Sequence, residues 1–416
     1  MVLSSCSTTA APGGSNSPVA GGSTPTPGGS VSTPGEATAT PGPAPTACVP
    51  HTSATAEAWV SGTSKPQVMG SINGAAETKL SNFGYPLGLP NEGAFGNDYL
   101  AALAWAPDAH HLAVAVGVDV GPGQTLFPYV VDTSTHAVTQ VKLPGNTSIA
   151  EKGAANRIFA WADNHTLLIF GGFSGGNNGS AGTVSYSYDI SAASLTPLPG
   201  VTTAYEGVVR CSTLFYLEVT ALTQITVGRF KGAARLHRYD LTSHSEIGSP
   251  VTLGDTSTFS GAEGDVSLMG WDVSPDGTHI AYQQTRVSLG TNGQIVIASK
   301  FLVANADGSG ASAILTGATS NTPAFLAISP DGKQVAVTNA QPTPEVFSGS
   351  MSGGAAHFYQ PDAEGPPVWL AGSAQFEADN LLGSSPGIEL WALNSGGGRQ
   401  SGSIVHPGGG IPATLP

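Results

Sequence analysis

The sequence predicts an all-β fold, a β-propeller of four-stranded antiparallel blades, with seven blades preferred and six the alternative. Three observations predict it. A strand–turn–strand motif returns at steps of 55 or 56 residues, the mark of a repeat architecture. Each return is followed by a second pair of short apolar, β-prone stretches separated by turn residues. The third is composition: 56 Gly and 31 Pro among 416 residues, with only 10% charged. That suits short strands and tight turns and excludes a coiled coil or helical bundle.

Along the chain, residues 7–47 contain only Ser, Thr, Ala, Pro, Gly and Asn apart from Val19, Val31 and Glu36. Such a segment cannot bury a core, so 7–48 is expected to be a disordered tether. Just before it stands Leu3-Ser4-Ser5-Cys6, which resembles the lipobox of bacterial lipoproteins. The resemblance implies lipidation of Cys6 and makes residues 1–6 the remainder of a signal segment. The basic and apolar regions of a signal peptide do not precede it, so an upstream start is expected. From residue 49 the composition shifts to short apolar stretches, and 49–407 is assigned to the propeller, with 408–416 as C-terminal coil.

The repeat is indexed by its turns. Ala106-Pro107-Asp108-Ala109, Ser274-Pro275-Asp276-Gly277 and Ser329-Pro330-Asp331-Gly332 each sit between β-prone runs. Asp276 follows Asp108 by 168 residues, three steps of 56, and Asp331 follows Asp276 by 55. A worn copy around Trp161 lies 56 residues after Trp105, and residues 208–219 fill the remaining step with Cys211-Ser212 at the turn. The proline fixes φ at the first central position, the Asp side chain accepts nearby backbone N–H groups, and Gly takes the φ > 0 position. Pro107, Asp108, Pro275, Asp276, Gly277, Pro330, Asp331 and Gly332 are therefore structural turn residues. A sixth blade reads from 375 to 405. The runs 58–60, 67–72 and 77–80 supply strands of a seventh, which helps to close the ring. Trp105, Trp161 and Trp271 are taken as inter-blade packing at one repeated position.

Ser-Pro-Asp-Gly followed by an apolar residue, Ala and a second apolar residue resembles the WD40-like repeat of TolB-type propellers. The same repeat stands in the propeller preceding the hydrolase of dipeptidyl peptidase IV-like enzymes. The resemblance implies the fold over roughly residues 56–407. The small α/β domain of TolB and the hydrolase domain of the peptidases have no counterpart in this sequence, so neither activity is carried over.

Motifs for chemistry are few. Gly172-Phe173-Ser174-Gly175-Gly176 matches G-x-S-x-G, but the residues after Ser174 cannot start the helix a nucleophile elbow needs, and it reads as a hairpin loop. His110-His111 sits in a turn with the side chains pointing apart, and no metal-ligand spacing occurs among the ten histidines. No catalytic residue, metal or cofactor is expected. With Cys6 lipidated, Cys48 and Cys211 remain as a possible disulfide in an oxidising compartment.

The net charge of −14 argues against nucleic acid, which needs a basic surface. No apolar run reaches the ~18 residues of a membrane span, so membrane attachment is expected only through an N-terminal lipid. The reading is an extracytoplasmic, monomeric propeller, lipid-anchored or secreted, that binds an envelope protein, peptide or glycan. Loops 172–182, 286–294 and 341–354 are the proposed recognition elements. The alternatives are a propeller-type hydrolase, lactonase or lyase with its site in the channel-mouth loops, or an envelope scaffold.

Overall fold

The computed structural model describes residues 55–415 except 63–64, 90–98, 120–123, 145–147, 151–156, 175–181, 184, 203, 220–222, 227–228, 260–269, 292–294, 319–323, 340–344, 360–364, 381–386, 394–401 and 408. Cys6, Cys48 and the segment 7–48 lie outside the described residues.

Alternation of buried and exposed side chains, the Pro-Asp turns and the absence of helical periodicity yield seven antiparallel sheets in a ring. From the innermost strand outward, blade 1 is Tyr99–Trp105, His111–Asp119, Gln124–Asp132 and Val138–Gln140. Blade 2 is Phe159–Trp161, Thr166–Ile169, Tyr186–Asp189 and Ser194–Pro197. Blade 3 is Ala204–Arg210, Thr213–Val219 and Arg229–Asp240, with Ser245–Glu246 and Val251–Phe259 along its outer edge. Blade 4 is Trp271–Val273, His279–Leu289, Ile295–Asn305 and Ser312–Ile314. Blade 5 is Ala324–Ile328, Gln334–Asn339, Glu345–Ser350 and His357–Tyr359. Blade 6 is Val368–Trp369, Gln375–Asn380, Gly387–Ala392 and Ser403–Pro407.

Blade 7 is made from both ends of the chain. Its innermost strand is Gly409–Thr414, paired with Ala56–Ser61, which continues to Gln67–Ile72 and Thr78–Lys79. The expected coil at 408–416 is thus corrected. Alone in a polar medium it would leave its backbone groups to water, whereas beside Ala56–Ser61 they are paired, as in Leu415 N donating to Ala56 O at 2.8 Å. The sequence boundary of blade 6 also moves. Val368–Trp369 is its inner strand, not the last strand of blade 5, because Leu370 N closes a hairpin on Gln375 O.

The inner hairpins of blades 1 to 6 open onto one side of the ring, the turn face; the hairpins joining second to third strands open onto the other. Among the described residues blade 4 has the longest such hairpin, with pairing carried out to Leu289↔Ile295, and in blade 3 the third strand runs on to pair with the outer strand as far as Arg229↔Phe259. The proposed recognition loop 341–354 contains a strand. Its Glu345–Ser350 is the third strand of blade 5, paired on both edges and with Val346 and Phe347 fully buried.

Between neighbouring blades lie apolar clusters. Ala58, Val60 and Val114 fill the seam between blades 7 and 1, and Ala113, Ile158 and Leu167 that between 1 and 2. Leu168 and Leu214 join blades 2 and 3, and Leu236 and Ile280 join 3 and 4. Phe301 and Phe347 join blades 4 and 5, and Tyr359 and Phe376 join 5 and 6. Among the described residues, no such cluster joins blade 6 to blade 7.

Candidate functional site

The inner hairpins of blades 1, 2, 4, 5 and 6 are each closed by one backbone bond, which sets these blades in register: Ala106 N to His111 O, Ala162 N to Thr166 O, Ser274 N to His279 O, Ser329 N to Gln334 O and Leu370 N to Gln375 O. The residues just before are Trp105, Trp161, Val273, Ile328 and Trp369. Each of the three indoles at this position donates its N–H to the inner strand of the preceding blade: Trp105 to Ala413 O at 3.3 Å, Trp161 to Ala104 O and Trp369 to Ala327 O, both at 2.9 Å. The packing role expected of Trp105 and Trp161 stands, and Trp369 joins them. Trp271 does not share the position; it lies two residues earlier on its strand, nearer the middle of the channel wall.

There the channel carries charge. Trp271 donates its N–H to Glu206 Oε2 at 3.1 Å, and Glu206 is only 4% exposed. Burial pushes the Glu206 carboxyl up to about 7, against the opposing pull of Arg157 and the indole hydrogen bond. Arg157, from the start of blade 2, reaches past blade 3 to the Trp271 carbonyl of blade 4 and to Leu326 O of blade 5 at 2.8 Å. Its guanidinium lies 4.8 Å from the centre of the Trp271 ring and 3.4 Å from Asp272 Oδ1. Arg210, beside the inner turn of blade 3, approaches Asp272 from the turn face at 3.6 Å and donates to Val273 O. Asp272 Oδ2 accepts Ile328 N at 2.7 Å. A side chain of blade 2 bonded to blades 4 and 5 has to cross the ring. The central channel is therefore bridged.

The predicted turn residues form the turns assigned to them. Asp276 Oδ1 accepts Thr278 N at 3.0 Å and the Ser274 hydroxyl at 2.6 Å; Asp331 Oδ1 does the same with Lys333 N and Ser329. Gly277 and Gly332 have φ of +72° and +71°. Asp108 Oδ1 accepts His110 N at 2.9 Å, and Ala109 takes φ +60° where the other copies have Gly. His111 starts the second strand of blade 1 beside Trp161, with burial lowering its imidazole pKa. Gly172–Ser174 is a strand paired with Ser148–Ala150. The loop after Ser174 lies outside the described residues.

What sequence reasoning did not anticipate is that the turns of three blades enclose a groove. Pro107 and Asp108 of blade 1, Asp163 and Asn164 of blade 2, and Cys211, Ser212, Thr242 and His244 of blade 3 line a cleft of about 960 Å³ on the turn face. Its walls mix carboxylate, amide, hydroxyl and imidazole with the apolar Leu168, Leu198 and Leu241. Cys211, at φ +59° in the two-residue turn of blade 3, is disulfide-bonded. Both other cysteines lie outside the described residues. No metal was expected from the sequence, yet Glu57, Glu377 and His406 each bring a ligand atom within 4.8 Å of the others.

No protein-family model matches the chain, and no curated protein does either. Solved structures do resemble it. TolB from Acinetobacter baumannii is 12% identical at a TM-score of 0.40, over 87% of this chain and 66% of that one. Putative 6-phosphogluconolactonases from Bacteroides fragilis and Bacteroides uniformis are 10% and 14% identical at TM-scores of 0.44 and 0.45. The likeness covers 88% and 87% of this chain and 98% and 100% of those. It is a likeness of fold. The chain is a seven-bladed propeller in architecture, and the blade count rests on its own strand pairing.

Proposed function

We propose that this propeller is an extracytoplasmic binding module for a protein, peptide or glycan of the cell envelope, and that the turn-face groove of blades 1 to 3 is where it binds. The observation that carries the reading is the pairing of an open groove with a bridged channel. Arg157 spans the ring's centre from blade 2 to blades 4 and 5, while Asp108, Asp163, Asn164, Ser212 and Thr242 offer hydrogen-bonding groups on the rim. The partner is neutral or basic, given Asp108, Asp163 and a net charge of −14. Cys6 lipidation and a Cys48–Cys211 bridge belong to the same reading: a lipid, a tether of 7–48 and a disulfide would fasten the rim beside the groove to the membrane. Ser212 and Thr242 are exposed, so Ser212→Arg with Thr242→Arg fills the groove while keeping the turn's backbone bond from Thr242 N to Asp240 Oδ1. This variant should keep its thermal midpoint and lose a partner that the unaltered protein retains from envelope extract. Retention of the same species by both proteins would contradict the assignment.

A second reading has one observation in its favour. Glu206 is a buried carboxyl that titrates near neutrality beside an arginine, as a general acid does. Under this reading the protein turns over an ester, lactone or glycoside, and Glu206→Gln abolishes turnover.

A further inference from the structure

We propose that the seam between blades 6 and 7 is a binding site for a divalent transition-metal ion held by Glu57, Glu377 and His406, which fastens the blade built from the two chain ends. Strand alternation makes the site. In Gln375–Asn380, Phe376 and Ala378 face blade 5, so Glu377 faces blade 7. In Ala56–Ser61, Ala56, Ala58 and Val60 pack toward blade 1, so Glu57 and Trp59 face blade 6. His406, on the outer strand of blade 6, completes the set three residues before the closing strand begins.

The geometry is that of a donor set. His406 Nε2 lies 2.9 Å from Glu57 Oε1, and one ligand atom from each of the three residues lies within 4.8 Å of the others. Glu377 is 2% exposed, and its Oε2 has no hydrogen-bond partner. A buried carboxylate oxygen facing a second carboxylate has lost its water without gaining a donor, and a cation supplies what is missing. The His406 ring is held by stacking on Trp59, with centroids 3.6 Å apart and planes at 18°. Its other nitrogen faces Glu77 Oε1 at 3.9 Å on the exposed side, which favours a proton on Nδ1 and leaves Nε2 for the metal. The metal takes the place of the proton shared by His406 and Glu57, and that proton is released to solvent.

One imidazole with two carboxylates suits a transition metal of the zinc or manganese kind; all-oxygen sets suit calcium and magnesium. The position gives the ion a task. The other six seams are filled by apolar clusters, while this one, which must hold blade 7 to the ring, carries Glu57, Glu377 and His406.

The test uses the full chain, untagged and stripped with a chelator, titrated with zinc chloride by calorimetry and checked by elemental analysis. One zinc per chain should bind and raise the thermal midpoint. Glu377→Gln keeps the side chain's shape and removes its charge, so it should fold at least as well without metal yet bind zinc at least about tenfold more weakly, the lower end of what losing even an outer partner costs. His406→Asn should lose the site. Absence of one-to-one binding, or undiminished binding by either variant, would overturn the proposal.

Discussion

The indole N–H of Trp271 donates to Glu206 Oε2 at 3.1 Å, where the indoles of Trp105, Trp161 and Trp369 donate to backbone carbonyls. Moving the indole two residues along its strand exchanges a neutral acceptor for a titratable one. Glu206 is held up to about 7 by burial, so the folded protein binds more protons than the unfolded chain between about pH 4.5 and 7. Stability falls as pH rises through that window. Glu206→Gln should remove this slope and leave the protein more stable than wild type at pH 8, by on the order of 3 kcal/mol at most, with little difference at pH 4. Denaturant midpoints across pH check it, and parallel curves for the two proteins would show Glu206 to be ionised in the fold.

Asp272 is the joint of the channel bridge. It faces Arg157 and Arg210 and accepts Ile328 N. Asp272→Ala leaves two enclosed guanidiniums without their carboxylate, and should cost about 3–5 kcal/mol in urea denaturation. A cost below about 1 kcal/mol would place those charges in solvent.

At the turns, conformation sets the cost. A Cβ on Gly277 would meet its nearest atom, Arg210 Cβ, at 3.6 Å, an ordinary contact. Gly277→Val should therefore destabilise by about 1–3 kcal/mol through the left-handed backbone alone. Gly277→Asn should cost much less, since Ala109 and Cys211 already hold φ near +60° at the other inner turns. Equal losses for Val and Asn, measured as denaturant midpoints, would point to crowding instead.

Non-reducing peptide mapping of the full chain should give one linked species joining the peptides of Cys48 and Cys211, and reduction should lower stability by roughly 2–4 kcal/mol. A linked species containing Cys6 would rule out its lipidation in the same molecule.

Much of the ring was legible in the sequence because its turn chemistry is local. Pro275-Asp276-Gly277 and Pro330-Asp331-Gly332 dictate their hairpins whatever lies around them, and their spacing sets the blade length. Two features escaped because they depend on pairing across the whole chain. The strand Gly409–Thr414 carries glycine and proline and becomes a strand only because Ala56–Ser61 offers it an edge. The donor set of Glu57, Glu377 and His406 requires residues 349 apart to meet across that closure. The alternation of Glu377 with Phe376 and Ala378 was the visible signal: a carboxylate on the second face of a two-sided strand. The Trp271 register was misread because its hairpin has the same motif as that of Trp105, with the indole shifted by two. The groove could not be read at all, since it is formed by turns of three blades.

The central claim is that recognition takes place on the turn face, and site-specific photo-crosslinking tests it most directly. One crosslinking side chain is placed at Ser212, within the groove, and another at Leu289, 52% exposed at the tip of the blade 4 hairpin on the opposite face. Both proteins are irradiated in cells with an intact envelope. The account predicts a discrete adduct from position 212 that disappears with Thr242→Arg, and none from position 289. An adduct from position 289 alone, or one from 212 that survives Thr242→Arg, would contradict it.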